Sequence, residues 1–155
     1  MPIMKLQKFL DENHVKYITV NHSPAYTARE VAASVFLPRR DFAKVIMVKI
    51  DGRMAMAVLP ASRRIDMDKL CVATGATHVE MANEDEFKTL FPACETGAMP
   101  PFGNLYEMDV WIDNLLVEDD DIFFNAGTHT QLMQMAFEDY QELVKPNTAD
   151  FAVKE

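Results

Sequence analysis

The sequence predicts a single α/β domain of mixed α+β type, built on a mixed β-sheet with helices around it. Three observations carry this prediction. Helical and strand periodicities alternate along the whole chain, so neither class dominates. Asp51-Gly52 separates two long apolar runs, a strong hairpin signal that demands at least one antiparallel pair. The length of 155 residues is that of one domain and shows no internal linker or repeat, so residues 1–155 read as one unit.

The elements follow in order. Leu6, Phe9 and Leu10 recur at helical spacing within Met4–Asn13. Tyr17-Ile18-Thr19-Val20 is aromatic and β-branched, and reads as a strand stopped by His22-Ser23-Pro24. Thr27-Ala28-Arg29-Glu30 forms a capping box that opens a helix burying Val31 and ending before Pro38. Phe42–Ile50 and Met54–Leu59 are apolar on successive residues, as strands covered on both faces are, and they place the centre of the sheet here. Ser62–Asp66 reads as a connector to a helix that starts near Asp66, carries Met67, Leu70 and Cys71, and closes at Gly75.

Thr77–Met81 is a short strand. Asn83 with Glu86 makes a second capping box, for a helix carrying Phe87, Leu90 and Phe91 and ending before Pro92. Tyr106–Asp113 reads as a strand and Asn114–Val117 as a turn or short helix. Ile122–Phe124 and Leu132–Ala136 are two further strands, joined through Asn125-Ala126-Gly127-Thr128-His129. Glu138–Val144 is the last helix, and the tail beyond Pro146 is expected to be loosely held.

Composition narrows the function classes. A hydrophobic fraction of 49% and a charged fraction of 25% are those of a soluble globule, and no apolar run reaches the roughly 18 residues of a spanning helix. The first residues lack the apolar core of a signal peptide. Cys71 and Cys94 stand in unrelated contexts, which fits a reduced, cytoplasmic protein. The net charge of −9 opposes broad nucleic-acid binding. A local basic patch remains open at Arg39, Arg40, Lys44, Lys49, Arg53, Arg63 and Arg64. The acids gather at Glu84–Glu86 and Glu118–Asp121.

Common enzyme signatures are missing: the sequence has no G-x-S-x-G, phosphate-binding loop, dinucleotide fingerprint or H-E-x-x-H. His14, His22, His78 and His129 lack metal-ligand spacing, so neither a metal nor another cofactor is expected. Lys44 sits in a strand otherwise apolar, where an unpaired ammonium is costly. Either its stem lies on the sheet with the head in solvent or on a carboxylate, or it faces a pocket and holds an anionic group such as a phosphate. His129 is either a turn histidine bonded to backbone or a donor at a pocket rim. Cys94 lacks a sequence neighbour that could act as a base, and Cys71 reads as core.

Gly97-Ala98-Met99-Pro100-Pro101-Phe102-Gly103 is the most unusual stretch. Two prolines fix φ and lack N–H groups, while two glycines accept conformations closed to other residues. It is either a tight buried connector or a stiff loop presenting backbone amides beside an apolar wall.

Four segments, taken in order, resemble one family. They are Ala43–Lys49, Met56–Pro60, Gly97–Gly103 and Phe124–His129. Together they are similar to the YbaK/prolyl-tRNA-synthetase-associated editing domains, over nearly the whole chain. The resemblance implies a central, partly barrel-like sheet surrounded by helices, and hydrolysis of the ester in mischarged aminoacyl-tRNA.

It also implies roles for individual residues. Lys44 would lie near the 3′-terminal phosphate or ribose of the tRNA, and Gly97 and Pro101 would end a G-x-x-x-P loop whose amides hold the ester carbonyl or place water. Ala98, Met99, Pro100, Phe102 and Gly103 would shape the substrate pocket, with His129 beside it. A vicinal ribose hydroxyl and water would replace a protein nucleophile. Val45 stands where some alanine-editing relatives carry a polar residue. The implied partners are the tRNA 3′ acceptor end and an aminoacyl-tRNA synthetase, with no membrane. The competing readings are a non-catalytic module binding a nucleotide, amino acid or acyl-adenylate in the same pocket, and an interaction protein docking through Glu118–Asp121.

Overall fold

The structure is a computed structural model that describes residues 2–21, 42–91, 98–118, 120–128 and 130–154. The Thr27–Glu30 capping box, Arg39 and Arg40 therefore lie outside the described residues, as do Cys94, Gly97 and His129.

Helix α1 (Pro2–Glu12) leads into strand β1 (Tyr17–Asn21). The hairpin follows as β2 (Ala43–Ile50) and β3 (Arg53–Pro60), antiparallel and in unbroken register from Ala43↔Pro60 to Ile50↔Arg53. Its turn places Asp51 at φ +49° and Gly52 at φ +82°, the left-handed pair that a two-residue hairpin requires. β4 (Arg63–Ile65) precedes α2 (Met67–Thr74), and β5 (Val79–Met81) precedes α3 (Glu84–Phe87). β6 (Asp109–Asp113) runs into the single turn α4 (Asn114–Val117). β7 (Asp121–Asn125), β8 (Gln131–Ala136), α5 (Phe137–Val144), β9 (Asn147–Ala149) and β10 (Ala152–Lys154) complete the described elements.

The strands form a five-stranded mixed sheet, β5-β2-β3-β6-β9, a three-stranded sheet, β1-β8-β7, and the pair β10-β4. β3 is central, as its apolar run requires: from Ala55 onward every residue of it is buried. A parallel bridge between Phe42 and Phe123 joins the edge of β2 to β7, linking the two larger sheets.

Each face of the five-stranded sheet has its own core. Ala43, Val45 and Met47 pack with Leu6, Leu10, Phe102, Phe124 and Tyr140 on one side. Ile46, Val48 and Ile50 pack with Leu70, Trp111 and Phe151 on the other. This is the two-residue alternation of a strand buried on both faces.

The caps form as the sequence predicts. Asp66 accepts from Lys69 N–H at 3.1 Å, and Gly75 ends α2 at φ +71°. Asn83 and Glu86 close a reciprocal capping box. Glu86 also takes the Lys49 ammonium, which reaches Glu80 at 3.3 Å. The backbone N–H of Asn83 first, and Lys49 second, hold the Glu86 carboxyl below the usual carboxylate range.

Four expectations change. The tail beyond Pro146 is not loose: β9 extends β6 in parallel, β10 pairs with β4, and Phe151 is fully buried. Its anchor is Asp113, a partner too distant in sequence for periodicity to register. Ser62–Asp66 is accordingly a strand for most of its length. β6 begins at Asp109, because residues Gly103–Tyr106 form a 3₁₀ turn closed by Glu107 at φ +57°. Cys71 is half-buried, its thiol donating to the Ala76 carbonyl at 3.3 Å, because α2 turns only Leu70 fully into the core.

Candidate active site

Lys44 is half-buried near the start of β2, directly opposite Leu59 of β3. It shares the strand face of Ile46, not that of Ala43 and Val45. The Phe42–Phe123 bridge brings β7 beside the start of β2. By strand alternation Lys44, two residues beyond Phe42, and Asn125, two residues beyond Phe123, fall on the same side as those two. The hydrophobic clusters agree with this alternation: Ile122 and Phe124 belong to the face of Ala43 and Val45, leaving Phe123 and Asn125 on the face of Lys44.

The chain turns just after Asn125. Gly127 adopts φ +98°, a conformation that favours glycine, and donates its N–H to the Ala98 carbonyl at 2.8 Å. That bond fixes the proline loop to the end of β7. The rest of the loop is tied down carbonyl by carbonyl. Pro100 accepts from Phe102 N–H at 2.8 Å, Phe102 from Leu105 N–H at 3.0 Å, and Gly103 from Met108 N–H at 2.9 Å. Pro101 accepts from the Tyr140 hydroxyl at 2.7 Å. Residues 98–103 are buried throughout. Phe102 is wholly in the core, against Phe9, Phe124 and Tyr140, so its side chain holds the loop in place. Met99 packs in the same cluster.

The structure thus anchors residues Ala98–Gly103 to the turn after β7, on the face of β2 that carries Ala43, Val45 and Met47, while Lys44 stands on the alternate face of that strand. Gly97 and His129, the flanking members of the predicted set, fall outside the described residues. Sequence reasoning missed two residues. Tyr140 sits on α5 with only helical periodicity to mark it, and nothing local announces a bond to Pro101. Burial raises its phenol far above the ordinary range, so it stays a neutral donor. Tyr140→Phe leaves the Pro101 carbonyl without its donor and costs about 1–3 kcal/mol, read by urea denaturation.

Asn125 is the second. It is 8% exposed, and its Oδ1 is buried without a hydrogen-bond partner among the described residues. The sequence offered only its place in the Phe124–His129 segment as a signal.

Other concave ground is less suited to a ligand. A cleft of about 840 Å³ between α1, β1, β8 and α5 carries Asp11, Asp121 and Asp139. Within it the Tyr17 hydroxyl donates to Asp11 at 3.1 Å and Gln134 to Asp121 at 3.2 Å. Among the described residues, no cluster of three His, Cys, Asp or Glu side chains could hold a metal, and no helix is long and apolar enough to cross a membrane.

Residues 22–143 match the family model of the aminoacyl-tRNA editing domain. The chain belongs to that family. The editing domain covers both the Lys44 strand and the proline loop. Prolyl-tRNA editing protein ProX of Acetoanaerobium sticklandii is 26% identical over 149 residues, covering 92% of this chain and 90% of that protein. Multifunctional Ser/Thr-tRNA deacylase ProXp-y of Escherichia coli strain K12 is 29% identical over 114 residues, 70% of this chain and 68% of the relative. Among solved structures, the hypothetical protein APE2540 superposes with a TM-score of 0.86, covering 96% of this chain and 99% of that one at 17% identity, a likeness of fold.

Proposed function

We propose that this editing-domain protein is a trans-acting deacylase that hydrolyses the ester of a mischarged tRNA bearing a small amino acid, on tRNA-Pro or a related tRNA. The observation that carries the reading is the proline loop of an editing-domain chain, buried and held by its carbonyls to Gly127, Leu105, Met108 and Tyr140. Lys44 serves as a compact positive charge for the 3′-terminal phosphate or ribose. The chain as a whole is acidic, with a net charge of −9, so the tRNA contact is local to the acceptor end or shared with a synthetase.

The loop supplies the carbonyl-binding element. A planar peptide aims its N–H opposite its C=O. The Ala98 carbonyl points at Gly127 and the Phe102 carbonyl at Leu105, so the N–H groups of Met99 and Gly103 are directed the other way. Amides held by bonds on their far side need no reorganisation as charge builds on an ester oxygen. Gly97 and Pro101 bound this cradle, Ala98, Met99 and Pro100 shape the acyl pocket, and His129 stands at its rim as a donor. Water attacks the ester, assisted by the vicinal ribose hydroxyl, and no metal or other cofactor takes part. The relatives named as an editing protein and a deacylase support the same reaction, which belongs in the cytoplasm with the rest of translation.

The test is hydrolysis of a panel of mischarged tRNAs by the wild-type protein and by Lys44→Ala. The wild type should release amino acid from at least one member, and Lys44→Ala should lower kcat/KM on the order of 100-fold. Equal rates in the two proteins would remove Lys44 from the mechanism. A ligand-dependent rise in melting temperature without any product would replace catalysis with simple binding.

A further inference from the structure

We propose that Asn125 is a hydroxyl-binding residue of this site, its buried Oδ1 accepting a hydrogen bond from a neutral hydroxyl of the bound substrate. The inference rests on the deacylase reading of the site and adds a specificity contact to it. A buried carbonyl oxygen left without a donor is costly, and native proteins keep few such atoms. Asn125 is such a case, 8% exposed with its Oδ1 unpaired among the described residues, at the last position of β7. Its place is what gives the orphan a use. It lies two residues beyond Phe123, whose bridge partner Phe42 lies two residues before Lys44, and Gly127, two residues on, holds the proline loop.

The chemistry of the missing donor follows from the neighbours. Lys44 puts a positive charge on the strand side that Asn125 shares, which disfavours a ligand ammonium there. A hydroxyl donates without charge. An aminoacyl-tRNA offers two kinds, the free ribose hydroxyl next to the ester and the side-chain hydroxyl of a seryl or threonyl group. Sites that hydrogen-bond a substrate hydroxyl discriminate strongly against analogues lacking it, because the buried partner is then left bare.

Two variants separate this role from packing. Asn125→Leu replaces the orphaned amide with an apolar group of similar length, so the melting temperature of the unliganded protein should hold or rise. Its kcat/KM should fall about tenfold or more. Asn125→Asp keeps acceptor oxygens and no donor, and should recover most of the activity.

Seryl-, threonyl- and alanyl-tRNA distinguish the two hydroxyls. A loss shared by all three assigns the ribose hydroxyl, and a loss confined to the seryl and threonyl substrates assigns the side chain. Unchanged kcat/KM for Asn125→Leu on every substrate would overturn the inference. So would a lowered melting temperature with activity lost in both variants, which marks a packing role.

If the wild type hydrolyses no substrate, the deacylase reading fails by itself. The hydroxyl contact is then read from binding, with amide-linked seryl and alanyl analogues of 3′-amino-3′-deoxyadenosine. A melting-temperature rise in the wild type that Asn125→Leu loses supports the contact. No rise, or an equal rise in both proteins, overturns it.

Discussion

Asp113→Ala should cost about 3–5 kcal/mol of stability, the summed loss of three backbone donors that end on one buried carboxylate. Asp113 is 2% exposed. Its Oδ2 accepts from Leu115 N–H at 2.9 Å and caps α4, while Oδ1 accepts from Phe151 N–H at 2.9 Å and Ala152 N–H at 2.8 Å. Hydrogen bonds to a charged acceptor are among the stronger ones, and removing this acceptor leaves the buried Phe151 N–H and the half-buried Leu115 and Ala152 N–H groups without it. Asp113→Asn keeps one oxygen and should lose less. Urea denaturation measures both, and an alanine variant within about 1 kcal/mol of wild type would show that water or a shifted backbone replaces the carboxylate. Asn114 extends the same junction by donating to Asp150 at 2.9 Å.

Gly103→Ala should destabilise by about 2–3 kcal/mol, roughly 4–12 °C in melting temperature for a domain of this size. The reason is close approach. A Cβ at Gly103 would lie 2.7 Å from the Met108 carbonyl oxygen and 2.7 Å from Val110 Cγ2. The first obstacle is backbone, and it belongs to the same turn that Met108 N–H closes onto Gly103. The turn cannot open without shifting Phe102, and Phe102 is where the proline loop is seated in the core. The variant should therefore lose deacylase activity at temperatures well below its melting point. Wild-type rates in a folded Gly103→Ala protein would show that the loop tolerates displacement.

The fold was legible wherever local chemistry decided the outcome. Asp51-Gly52, Asp66 with Gly75, and Asn83 with Glu86 each act within a few residues, and each forms as read. The run through β3 announced a strand covered on both sides, and β3 is the centre of its sheet. Legibility ended where the partner was remote. The tail looked polar and unpatterned, yet Asp113 recruits it from 38 residues away. Tyr106–Met108 read as the start of a strand, because the contacts that bend the chain there, Gly103 against Met108 and Val110, are not visible in local pattern.

The candidate site divides in the same way. Lys44 and the proline loop stand out by residue type alone. Tyr140 and Asn125 are ordinary in sequence, and only the packing shows one bonded to the loop and the other left unpaired among the described residues.

The junction at Asp113 also orders events during synthesis. Until residues 147–154 have been made, β6 has an open edge, β4 has no partner strand, and Asp113 has only the Leu115 amide to hold. A chain lacking residues 147–154 would therefore carry a bare sheet edge at β6, the feature most prone to pair with another chain.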